Sequence, residues 1–347
     1  MKILILGGDG FIGSHLLHKH LERKDECIVV DIENLRTFKH SRKYKYIHKD
    51  LSKDADDLKH ILKRHKPDFV YNCVAVATPS FYVKYPVETF DLDFKVNYEN
   101  ICLPLIKSKI PFIQFSTSEV YGKEWTEPHN EDTSNLVLGP TQKCRWIYAS
   151  SKILLEQLIL AHHCNCCIIR PQNFCGWDMD WLPDISTNVN RKWIPRLPAC
   201  YLNALFSHSP LVVVEPGTQK RCYTHIDDGI EGILAVVDNW SKCKGEVLNV
   251  GNARNEVSIK DVAEKYLKTW YKLTRMSNEG IIFKTGEDYY GDGYEDCPRR
   301  LFCSKKMYNL TGWIANINLE DTISKTIELA IRNYKHEGVN LWHNELG

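Results

Sequence analysis

The chain has 347 residues, 43% of them hydrophobic and 26% charged, with a formal net charge of +1. That length and balance allow one large domain or two modest ones with a packed core. The near-neutral charge excludes a global attraction to nucleic acid or to an anionic membrane, though not a local anion site.

In chain order, KILIL (residues 2–6) is a short apolar run bounded by glycines and reads as a buried strand. FIGSHLLHKHLE follows with Ile12, Leu16, Leu17 and Leu21 at helical spacing. CIVVD (27–31), DFVYNCVAV (68–76) and PFIQFS (111–116) read as further strands, with helices near 55–64 and 90–107. WIYASSKILLEQLILAHH (146–163) is a long helix with apolar Ile147, Leu154, Leu155, Leu158 and Ile159, and CCIIR a strand after it. Strands alternating with helices predict an α/β fold, a Rossmann-type doubly wound parallel sheet covered on both faces.

Past about Asn173 prolines and tryptophans accumulate, as in GWDMDWLPD, and longer loops predict a smaller, irregular lobe. The expected division is a dinucleotide-binding domain at 1–172 and a mainly ligand-binding lobe at 173–347. Segments near 220–250, such as VLNVG, return to the main body. The two are expected to form one integrated unit.

The 13 cysteines are odd in number and sit in apolar segments such as YNCVAV. MKILILGG breaks at Gly7-Gly8-Asp9 without an export-like cleavage site, and no run approaches the roughly 20 apolar residues of a membrane span. The expectation is a reducing cytoplasm and free thiols. HHCNCC (162–167) has a metal-like composition. Cys166 and Cys167, however, would face opposite sides of a strand, so no metal is expected.

GGDGFIG places Gly7, Gly10 and Gly13 between a strand and a helix. Glycines there permit a tight turn and close backbone approach. The N–H groups of Phe11, Ile12 and Gly13 at the helix start then suit a pyrophosphate. The second strand ends in Asp31, about 20 residues further on, where a carboxylate takes adenosine ribose hydroxyls. An acidic residue there selects NAD over NADP. Asp50 and Leu51 are expected to flank the adenine. In YASSK, Tyr148 and Lys152 are four apart and share a helix face. An ammonium nearby should lower the tyrosine pKa and make it a general base.

GGDGFIG, STSEVYG and YASSK together resemble the extended short-chain dehydrogenase/reductase family. VAVATPSFYVKYP, RWIYASSK, QKRCYTHIDDGIEGI, NVGNARNEVSI and YYGDGYEDCPRR extend the likeness over nearly the whole chain. They resemble the UDP-glucuronate decarboxylating-dehydrogenase half of bifunctional polymyxin-resistance enzymes, whose formyltransferase half has no counterpart in these residues, and also plant UDP-apiose/xylose synthases. The resemblance implies NAD-dependent oxidation of UDP-glucuronic acid at C4 and decarboxylation to a UDP-4-keto-pentose. It implies that Thr117 bonds the C4 oxygen and that Ser118, Glu119 and Arg300 surround the carboxylate and C5. Arg196, Arg221 and Asn173 would hold ribose or diphosphate, Tyr82 and Tyr294 the uracil or sugar, Ala77 the substrate, and Ala75 and Thr78 the cofactor. A homodimer through the long helix is implied as well. UDP-xylose synthesis, another epimerase or dehydratase reaction, and a non-catalytic NAD sensor are the alternatives.

The departures are specific. Sugar 4,6-dehydratases of the family carry an Asp where this chain has Ser118, and apiose-forming relatives carry cysteines at Ala77 and Ser118. Gln172 replaces a phenylalanine, and NFCGW lacks the proline that relatives have after the glycine.

Overall fold

The computed structural model describes residues 1–33, 43–180 and 194–336. In the first strand, β1 (Lys2–Leu6), Ile3 and Ile5 enter one core while Leu4 and Leu6 enter another, all four fully buried. A strand apolar on both faces requires helices over both, which is the condition of a parallel sheet. The alternation recurs in β2 (Glu26–Asp31), and β3 (Tyr44–His48) adds an edge. It continues in β4 (Phe69–Asn72), β5 (Phe112–Phe115) and β6 (Cys166–Pro171). In β6, Cys166 packs into one core and Cys167 into the other, as adjacent strand residues must.

Eight further strands follow: β7 (Phe174–Cys175), β8 (Leu211–Val214), β9 (Lys220–Cys222), β10 (Thr224–His225), β11 (Val247–Val250), β12 (Glu256–Ser258), β13 (Ile281–Lys284) and β14 (Arg299–Arg300). The main sheet has seven strands in the order β11-β6-β5-β4-β1-β2-β3, every pair parallel. The doubly wound Rossmann-type architecture read from the sequence is therefore the observed one. Chain order reverses between β1 and β4, and that reversal opens a crevice beyond the carboxyl ends of the strands. Helices Phe11–Glu22 and Ile226–Asp238 cover one face; Asp57–His65, Leu103–Ser108 and Trp146–Ala161 cover the other.

Two elements differ from expectation. The strand at 68–76 stops at Asn72, because residues 73 and 75–78 bend across the sheet's carboxyl edge and line the crevice. The helix expected over 90–107 is continuous, but Asp91–Cys102 is wound as a π-helix. There Asn97 donates to the Leu92 and Val74 carbonyls at 2.8 and 3.1 Å.

The chain also forms a three-stranded sheet, β12-β9-β14. Its β9–β14 pairing is parallel and sets Arg300 beside Arg221. Beneath the crevice, Glu156 on the long helix accepts two bonds from Arg170 of β6 at 3.0 and 2.6 Å, both residues buried. Ser116, just past β5, donates to the same carboxylate. Removing one member of a buried pair leaves the other charge uncompensated. Glu156→Ala is therefore expected to lose roughly 3–5 kcal/mol of unfolding free energy, measured by urea denaturation.

Candidate active site

The crevice is a cavity of about 640 Å³, within the range of small-molecule and cofactor sites. Its walls begin at the glycine-rich turn, with Gly7, Gly10, Phe11, Ile12 and Gly13. Gly7 has φ +70°, and a Cβ on it would meet the Cys73 backbone at 3.0 Å. A Cβ on Gly13 would lie 2.4 Å from the Gly7 carbonyl oxygen, so both positions exclude a side chain. The helix beyond starts without a side-chain cap, leaving its first N–H groups directed at the cavity.

Asp31 stands beside this turn and accepts from the backbone N–H groups of Asp9, Ile32 and Glu33 at 2.8, 2.7 and 3.2 Å. Burial pushes its carboxyl up, and those three donors oppose the push. The open helix end, the close-packed glycines and the carboxylate suit the pyrophosphate and ribose of a dinucleotide. Ala75, Ala77 and Thr78 line the next wall. Asp50 and Leu51 do not line the cavity. Leu51 is packed in the core, with its carbonyl accepting from Asn100 at 2.9 Å, and Asp50 turns back onto Ser52.

Past β5, Thr117, Ser118 and Glu119 line the cavity opposite Tyr148. The Thr117 hydroxyl accepts from the Glu119 N–H at 3.2 Å and caps the short helix Ser118–Tyr121. Tyr82 stacks on Tyr148 with ring centroids 5.1 Å apart and an interplanar angle of 6°. The Tyr82 hydroxyl faces the Glu119 carboxylate at 3.4 Å.

Glu119 lies between two guanidinium groups. Arg145 Nη2 donates to it at 2.7 Å, and Arg300 Nη2 at 3.3 Å. Burial pushes the Glu119 carboxyl upward, but the charges of Arg145 and Arg300 outweigh it and hold the group below the ordinary glutamate value. Glu119 is thus an anion that fixes two cations, and not a proton donor at neutral pH.

Arg145 was missed in the sequence. It is almost fully buried, with its guanidinium carbon 4.5 Å from the Trp146 ring, 5.6 Å from Tyr294 and 5.9 Å from Tyr82. Its Nε and Nη1 have no hydrogen-bond partner among the described residues. The available signal was spacing, since Arg145, Tyr148 and Lys152 follow one another at helical intervals of three and four. Arg221 donates to Asp296, a second missed residue, and to the Lys220 carbonyl at 2.7 Å. Burial raises the Asp296 carboxyl, but Arg221, Arg145 and Arg300 bring it below the ordinary value. Three guanidinium groups therefore face two carboxylates, leaving one excess positive charge in this half of the cavity.

Tyr294, Asn173 and Arg196 also reach the cavity. Tyr294 stacks on Tyr290 at 4.5 Å. Asn173 adopts φ +41° and donates to the Cys222 carbonyl at 3.1 Å. Arg196 forms a forked pair with Asp180 at 2.8–3.3 Å and lies 5.9 Å from the Phe11 ring. Gln172 turns away from the cavity and donates to Asn249 in the sheet at 2.9 Å, so the departure there bears on sheet packing.

The Tyr148–Lys152 pair has a third member that the sequence did not suggest. Burial pushes the phenol well above its ordinary value, with the Asp93 and Glu119 charges adding to it. The Lys152 ammonium is 2.9 Å from the buried Asp93 carboxylate, which offsets its charge.

Fold and cavity define a class, a Rossmann-type protein with a dinucleotide site. The model of the NAD dependent epimerase/dehydratase family matches residues 3–251, and the chain belongs to that family. It is 34% identical to the bifunctional polymyxin resistance protein ArnA of Wigglesworthia glossinidia brevipalpis, over 96% of this chain and 51% of that protein. The chain thus spans about half the length of that relative. The PbgP3 protein from Burkholderia pseudomallei superposes with a TM-score of 0.83 at 28% identity, covering 97% of this chain and 98% of that one. UDP-glucuronic acid 4-epimerase from Bacillus cereus, solved with UDP-glucuronic acid and NAD, gives 0.76 at 22% identity, covering 96% and 100%. NAD is accordingly the cofactor. No described helix is long and apolar enough to cross a membrane.

A carboxyl whose folded pKa lies below its unfolded value adds stability above the unfolded value, which is lost as pH falls through the folded one. Arg145→Met removes the nearer of Glu119's two cations. The Glu119 carboxyl is expected to titrate at higher pH in that variant, read from the carboxyl carbon shift in glutamate-labelled protein.

Proposed function

We propose that the protein is an NAD-dependent enzyme that oxidises UDP-glucuronic acid at C4 and decarboxylates it to a UDP-4-keto-pentose. The observation that carries this reading is the ionised Glu119 held between Arg145 and Arg300, in the same cavity as Tyr148. A sugar carboxylate is an anion with two acceptor oxygens. Arg145 has two unspent buried donors, and the cluster has one positive charge to spare.

Bound NAD supplies the hydride acceptor. Tyr148 takes the proton of the C4 hydroxyl, and Thr117, which lines the same cavity, holds the same oxygen. Oxidation places the carboxylate β to a ketone. When the carbon–carbon bond to the carboxylate breaks, its electron pair passes into an enolate and carbon dioxide leaves. Protonation at C5 then completes the product. Arg300 stabilises the enolate and orients the proton source, and Glu119 keeps both arginines in place. Ser118 is too weak an acid to assist loss of a hydroxyl, which sets this reading apart from 4,6-dehydration.

Residues 1–172 hold the cofactor and the Tyr148–Lys152 pair, and residues 173–347 mainly hold the nucleotide sugar. Arg196, Arg221 and Asn173 face the diphosphate and ribose, and Tyr82 and Tyr294 the sugar and uracil. Leu154 on the long helix is 43% exposed. We assign the face that carries it to a homodimer, with the thirteen free thiols suited to a cytoplasmic setting.

With NAD and UDP-glucuronate, absorbance at the NADH band should grow in step with the keto product. Product without NADH would instead mark a UDP-xylose synthase. Tyr148→Phe should nearly abolish NADH formation. Arg300→Met should still oxidise C4 but release carbon dioxide at least tenfold more slowly, a loss of about 1.4 kcal/mol in transition-state binding. The dimer is checked separately: Leu154→Arg should sediment as a monomer where the parent protein sediments as a dimer.

A further inference from the structure

Asp93 is fully buried in the π-wound segment Asp91–Cys102, away from every motif that points to chemistry in the sequence. Its Oδ1 lies 2.9 Å from Lys152 Nζ, itself 1% exposed. Neither atom has another hydrogen-bond partner among the described residues. Its Oδ2 accepts from the Val76 N–H at 3.3 Å, and Val76 lines the cavity. One carboxylate therefore ties together the long helix, the π-wound helix and the loop after β4.

The pair also borders Tyr148, with Lys152 Nζ 5.8 Å from the centre of the tyrosine ring. The groups facing Tyr148 come from every element packed around it. Lys152 is on its own helix, Asp93 on the π-wound helix, Thr117 and Glu119 beyond β5, Tyr82 above the ring, and Arg196 at the start of Leu197–Phe206. Lys152 is the nearest cation of this set. In a buried site two opposite charges in contact largely cancel at a third group a few ångströms away.

We propose that Asp93 is a positioning residue of the active site: it holds the Lys152 ammonium in a buried ion pair, offsets its charge at Tyr148, and so sets how readily Tyr148 releases its proton. This rests on the reading of Tyr148 as the base. Burial drives the Asp93 carboxyl above the ordinary aspartate value, and Lys152 pulls it back. The pair is thus held by the fold as well as by its own attraction. Asp93→Asn keeps the size of the side chain and an acceptor for Val76 but removes the charge. The Lys152 charge then acts on Tyr148 without compensation.

The test reads Tyr148 directly. Phenolate absorbance is titrated in the parent protein, in Asp93→Asn, and in each combined with Tyr148→Phe, so that the difference isolates one tyrosine among 17. In Asp93→Asn the transition should fall by roughly one pH unit, the scale of one nearby charge. With UDP-glucuronate, the acid limb of kcat should move with it. A Tyr148 transition left at the parent pH in folded Asp93→Asn overturns the proposal, even if kcat drops at every pH, because a structural defect would do the latter. Asp93→Ser carries the same prediction should the asparagine variant not fold. If no uronate is turned over by the parent protein, the functional reading fails. The absorbance titration still decides the role of Asp93.

Discussion

Everything in the substrate half of the cavity is arranged around a buried negative charge. Taking the Glu119 carboxylate out of water is costly, and the cost is offset only because Arg145 and Arg300 touch it from two sides. The same contacts fix the two guanidinium groups, which would otherwise be long, mobile side chains. A cavity pre-set with cations is complementary to an anion before any ligand arrives, and such preorganisation costs no rearrangement at the moment of reaction.

The fold supplies these groups from distant parts of the chain. Glu119 lies on the turn after β5, Arg145 at the foot of the long helix, and Arg221 and Arg300 on adjacent strands of the three-stranded sheet. The doubly wound sheet brings the carboxyl ends of β1, β4, β5 and β6 to one edge, where the glycine turn, Ala75, Thr117 and Asn173 meet. Arg221 and Arg300 of the three-stranded sheet line the same cavity. The cofactor half is built mostly from backbone, and the substrate half mostly from charged side chains. That division sets a backbone site suited to a pyrophosphate against a set of fixed charges suited to an anion.

Sequence reasoning succeeded where the information is local. Alternation of apolar residues gave the strands, and the spacing of Gly7, Gly10 and Gly13 gave the turn. Tyr148 and Lys152 follow from one helical repeat. It fell short where a residue's role depends on contacts made across the fold. Arg145 looks like a solvated charge beside a tryptophan until the chain brings Glu119 to it. Asp93 sits in a segment whose pattern says only helix, and nothing in that pattern announces its pairing with Lys152. Asp296 is one acid among several in YYGDGYEDCPRR, and only the strand pairing reveals Arg221 as its partner. Asp50 and Leu51 were placed by distance along the chain from a strand, which does not say whether a side chain points at a ligand or into the core.

Arg299 and Arg300 are neighbours of identical chemistry, yet only Arg300 lines the cavity. The other is bonded to Glu256 of β12 at 2.6 and 2.9 Å and also donates to Glu127, outside the cavity. A one-residue slip of β14 that brought Arg299 into the cavity would set Pro298 opposite Glu256 and Glu127. Both glutamates would then lack a cation, so the outer ion pairs act as a registration pin. They determine which of two equivalent arginines lines the cavity without lining it themselves.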